Sequence, residues 1–263
     1  MKELLLVILF SFTIKFSYTQ RDSTSVWIGK ATLKNQVDLV KAPFSSGKNV
    51  LVSTSCASLA VGSIFFFDKN IQRNSTIITR NNQNIESVFE YVSYGGNLES
   101  ILGITAGSYL FGKISKNEKW EKTGELLGIS IFNTAVVTYA FKWGFARQRP
   151  YVTGEDDWHF LEMAEDRASF ISGHSSASFA MASIFALQNK DRPWVKWVAY
   201  GSATAISLSR IVIDKHWTSD VLLGAAIGYG IGHFTHNTLY NKDFHILPFR
   251  SSNATGFSLT LVF

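Results

Sequence analysis

The sequence predicts an all-α protein: a core bundle of six helices followed by a short C-terminal β-hairpin or strand. Six uncharged stretches of helical length recur between polar connections, which is the pattern of buried or lipid-facing helices. They are rich in Gly, Ala and Ser, residues that let helix backbones approach closely. The tail changes period, with Phe257, Leu259, Leu261 and Phe263 alternating onto one face as strand residues do.

Each element has its own signal. Met1-Lys2-Glu3 followed by an apolar run from Leu4 to Ile14 has the shape of a secretory signal over residues 1–19, with Ser17 and Thr19 in the small positions; an uncleaved anchor is the alternative. Residues 20–48 form a polar segment carrying Lys30, Lys34, Lys41 and Lys48. The single cysteine, Cys56, makes no internal disulfide, so export is argued from the N-terminus alone. A single domain then occupies residues 49–240. Its apolar segments run Val50 to Phe67, Ser100 to Gly112, Leu126 to Phe141, Ser175 to Gln188, Trp197 to Ser209, and Val221 towards Leu239. Between the first two lies a polar, Asn-rich stretch with an amphipathic segment at Ile85 to Tyr94. The tail, residues 241–263, offers two short strands, His245 to Arg250 and Gly256 to Phe263, about the Ser251-Ser252-Asn253 turn.

Whether these helices pack in water or in lipid is left open by periodicity. A mean hydropathy of +0.08 is modest for six spans, and most segments fall short of the roughly twenty apolar residues a bilayer asks for. Against this, Lys113, Lys116, Lys119 and Lys122 share one connection and Lys190, Arg192 and Lys196 another, both opposite the loops that hold the polar clusters described next. The positive-inside rule then turns those clusters away from the cytoplasm. A cleaved signal with all six segments spanning would put them on the cytoplasmic side instead. The expectation is an exported, extracytoplasmic protein of the cell envelope, membrane-associated or integral. A net charge of +5 and a pI near 9.2 suit anionic lipid or phosphate esters; with no aromatic-basic stripe, nucleic acid is not expected.

Three polar clusters stand between these segments. Lys142 and Arg149 lie seven residues apart, about two helical turns, so both are expected on one helix face that ends at Pro150. Ser172-Gly173-His174 precedes a small-residue helix whose N-terminal N–H groups favour an anion, and Gly173 lets the backbone approach it. Arg210 is followed by His216 and Asp220, four apart on one turn, where the carboxylate can fix the imidazole tautomer and double as an N-cap. Each cluster also has a structural reading: Lys142 and Arg149 as helix-dipole partners or membrane-flanking cations, Ser-Gly-His as a turn, His216–Asp220 as a hydrogen-bonded pair. Arg147 points elsewhere on the helix and reads as a surface or headgroup contact, and His233 with His236 as a polar facet or helix end rather than a metal pair.

In order and spacing, the clusters resemble the three signature motifs of the type 2 phosphatidic acid phosphatase and vanadium haloperoxidase superfamily: Lys, six residues, Arg-Pro; Pro-Ser-Gly-His; and Ser-Arg, five residues, His, three residues, Asp. Ile171 stands where the family usually has proline, which bears on the stiffness of the turn. The resemblance implies that His216 is the nucleophile forming a phosphohistidine, with Asp220 holding it. It makes His174 the general acid and then base, and Lys142, Arg149, Arg210, Ser172 and Gly173 the phosphate cradle. It implies hydrolysis of a phosphomonoester or lipid (pyro)phosphate with no metal or cofactor. A vanadium-dependent haloperoxidase and a non-catalytic phosphate-binding envelope protein are the alternatives.

Overall fold

The computed structural model describes residues 63–80, 82–153, 157–240, 243–251 and 254–262. The expected signal, the polar segment 20–48 and most of the Val50 to Phe67 stretch lie outside the described residues. A 3₁₀ turn, Phe65–Phe67, leads into α1 (Asp68–Arg80), α2 (Gln83–Tyr94), α3 (Leu98–Ser115), α4 (Glu118–Phe145), the single turn α5 (Pro150–Thr153), α6 (Gly173–Gln188), α7 (Pro193–Val212) and α8 (Thr218–Leu239). The backbones of β1 (Asp243–Ser251) and β2 (Ala254–Val262) pair antiparallel, Asp243 opposite Val262 and Ser251 opposite Ala254.

The apolar segments form the middles of longer helices. α4 adds a charged first turn to Leu126 to Phe141, where Asn117 caps the helix by accepting from Trp120 N. At 28 residues it is about 42 Å long. Among the described helices it alone is long and apolar enough to cross a membrane by length and composition. Its C-terminus corrects the expected stop at Pro150: the helix ends at Phe145, where Ala146 turns left-handed (φ 41°, ψ 50°). Arg149 therefore does not share a helix with Lys142, and Pro150 instead opens α5.

α6 is the centre of the bundle, packed against α8, α7 and α4, while α3 lies on α4, α2 on α7, and α1 on α7 and α8. Small residues make this possible. Gly224, Gly228 and Gly232 form a ridge at four-residue spacing along α8. A Cβ at Gly228 would fall 1.9 Å from the Ser176 carbonyl oxygen, and one at Gly224 2.7 Å from that of Ser172. Only a residue without a side chain permits that approach. The same holds on α4, where a Cβ at Gly124 would lie 2.5 Å from the Tyr109 backbone of α3. The apolar core of Leu126, Leu127, Ile131, Ala180, Met181, Ile184 and Leu239 fills the end where α4 begins and α6 and α8 finish. The opposite end, where α4 and α7 finish and α6 and α8 begin, collects the three polar clusters.

Candidate active site

At that end the clusters are stitched together by backbone and side-chain hydrogen bonds. Ser172 N donates to the Asp220 carbonyl at 3.1 Å, and Ser175 Oγ to that of Val221 at 2.7 Å, tying α6 to α8. Trp217 Nε1 donates to the Gln148 carbonyl at 2.8 Å, tying the loop before α8 to the loop after α4. The turn between α7 and α8 folds back so that Lys215 N and His216 N both reach the Arg210 carbonyl. Asp214, left-handed within it (φ 55°), is held by Gln72 and Thr76 of α1.

His216 is buried, and its Nδ1 lies 2.8 Å from the Ser169 carbonyl. A carbonyl oxygen can only accept, so Nδ1 carries the proton and Nε2 keeps its lone pair. The expected partner is displaced: Asp220 Oδ2 stands 3.9 Å from Nδ1, beyond a hydrogen bond. Burial, together with the positive charges of Lys142, Arg149 and Arg210 and the neighbouring His174, holds the His216 imidazole well below its ordinary pKa. Its surroundings thus favour the neutral imidazole.

Those cations have only neutral acceptors among the described residues. Lys142 Nζ donates to the Ala168 carbonyl and Arg210 to Ser93 Oγ. Arg149 Nε and Arg210 Nε are buried with no acceptor among the described residues. Ser172 is the N-cap of α6, its Oγ 3.4 Å from Ser175 N. A Cβ at Gly173 would meet only Thr138, at 3.7 Å, so packing does not demand glycine there. His174 Nε2 lies 2.8 Å from Asn97 Oδ1. Lys142, Arg149, Arg210, His174 and His216 are therefore brought together, with Ser172 and Gly173 at the helix start beside them. Ile171, in the place of the family's proline, is fully buried.

Asp220 is not the N-cap of α8. It is the third residue of that helix, and its Oδ2 accepts from the N–H of the true N-cap, Trp217, at 3.1 Å. Its other partners are Ser169 Oγ and Arg147 Nη1, the latter at 2.6 Å. Arg147 is the largest departure from the sequence reading. Far from the surface, it is fully buried, with Nη2 2.8 Å from Asp68 Oδ2 and its guanidinium about 5 Å from the rings of Phe65, Trp158 and Trp217. Asp68 also accepts from Ser219 N at 2.9 Å and from Ser219 Oγ.

Ser169 went unnoticed in the sequence because its part is played largely by its backbone. Its N–H donates to the Arg147 carbonyl at 3.0 Å, its hydroxyl to Asp220, and its carbonyl accepts from His216. His233 and His236 play no part: Nδ1 of His233 lies 3.1 Å from the Tyr229 carbonyl and His236 stacks on Tyr240. Among the described residues no group of three or more His, Cys, Asp or Glu side chains is arranged to hold a metal ion.

This geometry has relatives. Residues 125–244 match the PAP2 superfamily. Over that stretch the chain is similar to the PAP2 superfamily. The matched region begins within α4 and takes in all three clusters, while α1, α2 and α3 precede it. A curated relative, the lipid A 1-phosphatase of Porphyromonas gingivalis, is 34% identical over 125 residues, 46% of this chain and 25% of that protein. The matched stretch thus spans about a quarter of that relative's length. Among solved structures, Aquifex aeolicus LpxE superposes with a TM-score of 0.50 at 22% identity, covering 65% of this chain and 95% of that one. The first transmembrane PAP2 type phosphatidylglycerolphosphate phosphatase from Bacillus subtilis gives a TM-score of 0.50 at 17% identity, covering 79% and 94%. At these identities the two likenesses show the helical fold alone.

Proposed function

We propose that the protein is a phosphatase acting on a lipid-linked phosphate ester at a bilayer surface, through a phosphohistidine on His216. The observation that carries this is His216, its Nδ1 held by a carbonyl and its imidazole kept towards the neutral form, beside Lys142, Arg149 and Arg210, which make no ion pair with a carboxylate among the described residues. Nε2 attacks phosphorus as the bond to the leaving oxygen breaks, and the electron pair of that bond departs with the oxygen. His174 supplies the proton that the alkoxide takes up. Water then attacks phosphorus, His174 takes its proton, and the P–N bond breaks to return neutral His216 and inorganic phosphate. Lys142, Arg149 and Arg210 stabilise the charge that spreads over the equatorial oxygens; phosphoryl transfer asks mainly for such positioning and charge. Ser172 Oγ and the N–H groups at the start of α6 complete the cradle.

The lipid assignment rests on the surface. Phe132, Val136, Tyr139 and Trp143 are exposed on α4 at spacings of four, three and four residues, a single apolar face turned outward. Trp194, Trp197, Val198 and Leu208 are exposed on α7. Such faces suit lipid better than water. Lys113, Lys116, Lys119, Lys122, Lys190, Arg192 and Lys196 lie at the end away from the site, which supports an extracytoplasmic active site. The lipid A 1-phosphatase likeness supports a lipid phosphomonoester as substrate.

The test is phosphate release by the purified full chain from a lipid phosphomonoester in mixed micelles and from a soluble aryl phosphate, with a chelator present. Release from both, faster from the lipid, is the expected result. Release from neither would overturn the proposal.

A further inference from the structure

The segment Ser93 to Asn97, from the end of α2 to the residue before α3, lies outside the matched region and holds none of the three clusters, yet it touches two of them. Ser93 Oγ accepts from Arg210 Nη1, and Asn97 Oδ1 stands 2.8 Å from His174 Nε2. Between them Gly96 lies so close that a Cβ there would fall 2.8 Å from His174 Cδ2 and 2.6 Å from Ile206 Cγ2. The turn is pinned from both sides. Asn97 is the residue before α3, and its carbonyl accepts from Ile101 N at 3.0 Å, while Ser100 Oγ donates to the Tyr94 carbonyl at 2.7 Å. Asn97 is thus a fixed group at the imidazole.

We infer that Asn97 is the positioning residue of His174: it takes the Nε2–H and leaves Nδ1 as the atom that gives and regains the catalytic proton. The amide oxygen can only accept, so it keeps a proton on Nε2. In the acid step the imidazolium proton on Nδ1 passes to the leaving oxygen as the P–O bond breaks, while the Asn97 dipole stabilises the ring. In the second step Nδ1 takes the proton of the attacking water. This is the logic of a base oriented by a third group, with a neutral amide in place of a carboxylate. An amide does not raise imidazole basicity as a carboxylate would, so His174 stays a strong enough acid to protonate an alkoxide amid the cations.

The inference rests on the phosphatase reading of this site, and the test separates the two. The full-length wild type, Asn97→Ala and Asn97→Asp are compared on an alkyl phosphate lipid, whose leaving group needs a proton, and on a nitrophenyl phosphate, whose leaving group does not. In kcat/KM, which reports formation of the phosphoenzyme, Asn97→Ala is expected to lose about 100-fold on the alkyl substrate and only a few-fold on the aryl one. Asn97→Asp is expected to keep activity and move the alkaline limb of the pH profile up by about one unit, because a full negative charge beside the ring favours the imidazolium. Equal losses on both substrates with an unmoved pH profile, or a fully active Asn97→Ala protein, would overturn the role of Asn97. A wild type that hydrolyses neither ester would overturn the phosphatase reading and this inference with it.

Discussion

Two arginines lie two residues apart in the same loop and do opposite things. Arg147 is enclosed: two carboxylates, Asp68 and Asp220, and three aromatic rings surround its guanidinium. Arg149, with Lys142 and Arg210, meets no carboxylate among the described residues, and two of these groups keep a buried Nε without an acceptor. A buried charge is tolerated only when it is paired or when a ligand pairs it. The first arrangement is complete in itself and fixes the loops that carry His216. The second is the one that the proposed reaction would fill with a phosphate. Charge count alone does not define a phosphate site; what matters is which cations the fold leaves unneutralised.

The sharpest break in this comparison is at the reacting atom. His216→Ala should lower turnover by roughly four orders of magnitude or more. Phosphate should still inhibit the folded variant as a competitor, because the clamp is untouched; both are read from kinetics and inhibitor binding. Among the clamp cations, Arg210→Ala should cost about 100- to 1,000-fold in kcat/KM and weaken phosphate inhibition, with little loss of thermal stability. The enclosed arginine should behave the other way. Asp68→Ala leaves Arg147 buried with one of its two carboxylates and should cost about 3 kcal/mol or more of stability, measured by chemical denaturation in detergent. Clamp and cage would be indistinguishable if Arg210→Ala unfolded the protein or Asp68→Ala left its stability unchanged. The smallest effect is in pH. With the His216 pKa lowered, the neutral nucleophile persists as pH falls through the ordinary imidazole range, so the acid limb of kcat/KM should lie below about pH 6. An acid limb at or above the ordinary histidine pKa would contradict the burial and cation arguments together.

Much of the site was legible because its spacings are local. His216 and Asp220, Ser172 to His174, and Lys142 with Arg149 sit within a few residues of one another, and the order of the three clusters brought them to one end of the bundle. What escaped depends on distance along the chain. The partners of Arg147 lie 79 and 73 residues away, and Asn97 is 77 residues from His174, so no periodicity relates them. Ser169 and Ala168 act through carbonyl oxygens, which every residue possesses. Helix continuity misled in one place: Pro150 looked like the stop, but the chain leaves the helix at Ala146, a residue that seldom turns left-handed. That break frees Arg149 from the helix and lets the loop wrap Arg147. The helices themselves were readable from uncharged runs, though their ends were not: α4, for example, begins eight residues before its apolar run, with Asn117 as its cap.

The proposed reaction passes through a covalent phosphate on His216. His174→Ala, given a radiolabelled aryl phosphate whose leaving group departs unaided, should form the intermediate and hydrolyse it slowly, so that label accumulates on the protein. That label should be stable to alkali, lost in acid, mapped to His216, and absent from the His174→Ala, His216→Ala double variant. Label on another residue, or turnover by His216→Ala at the wild-type rate, would contradict it.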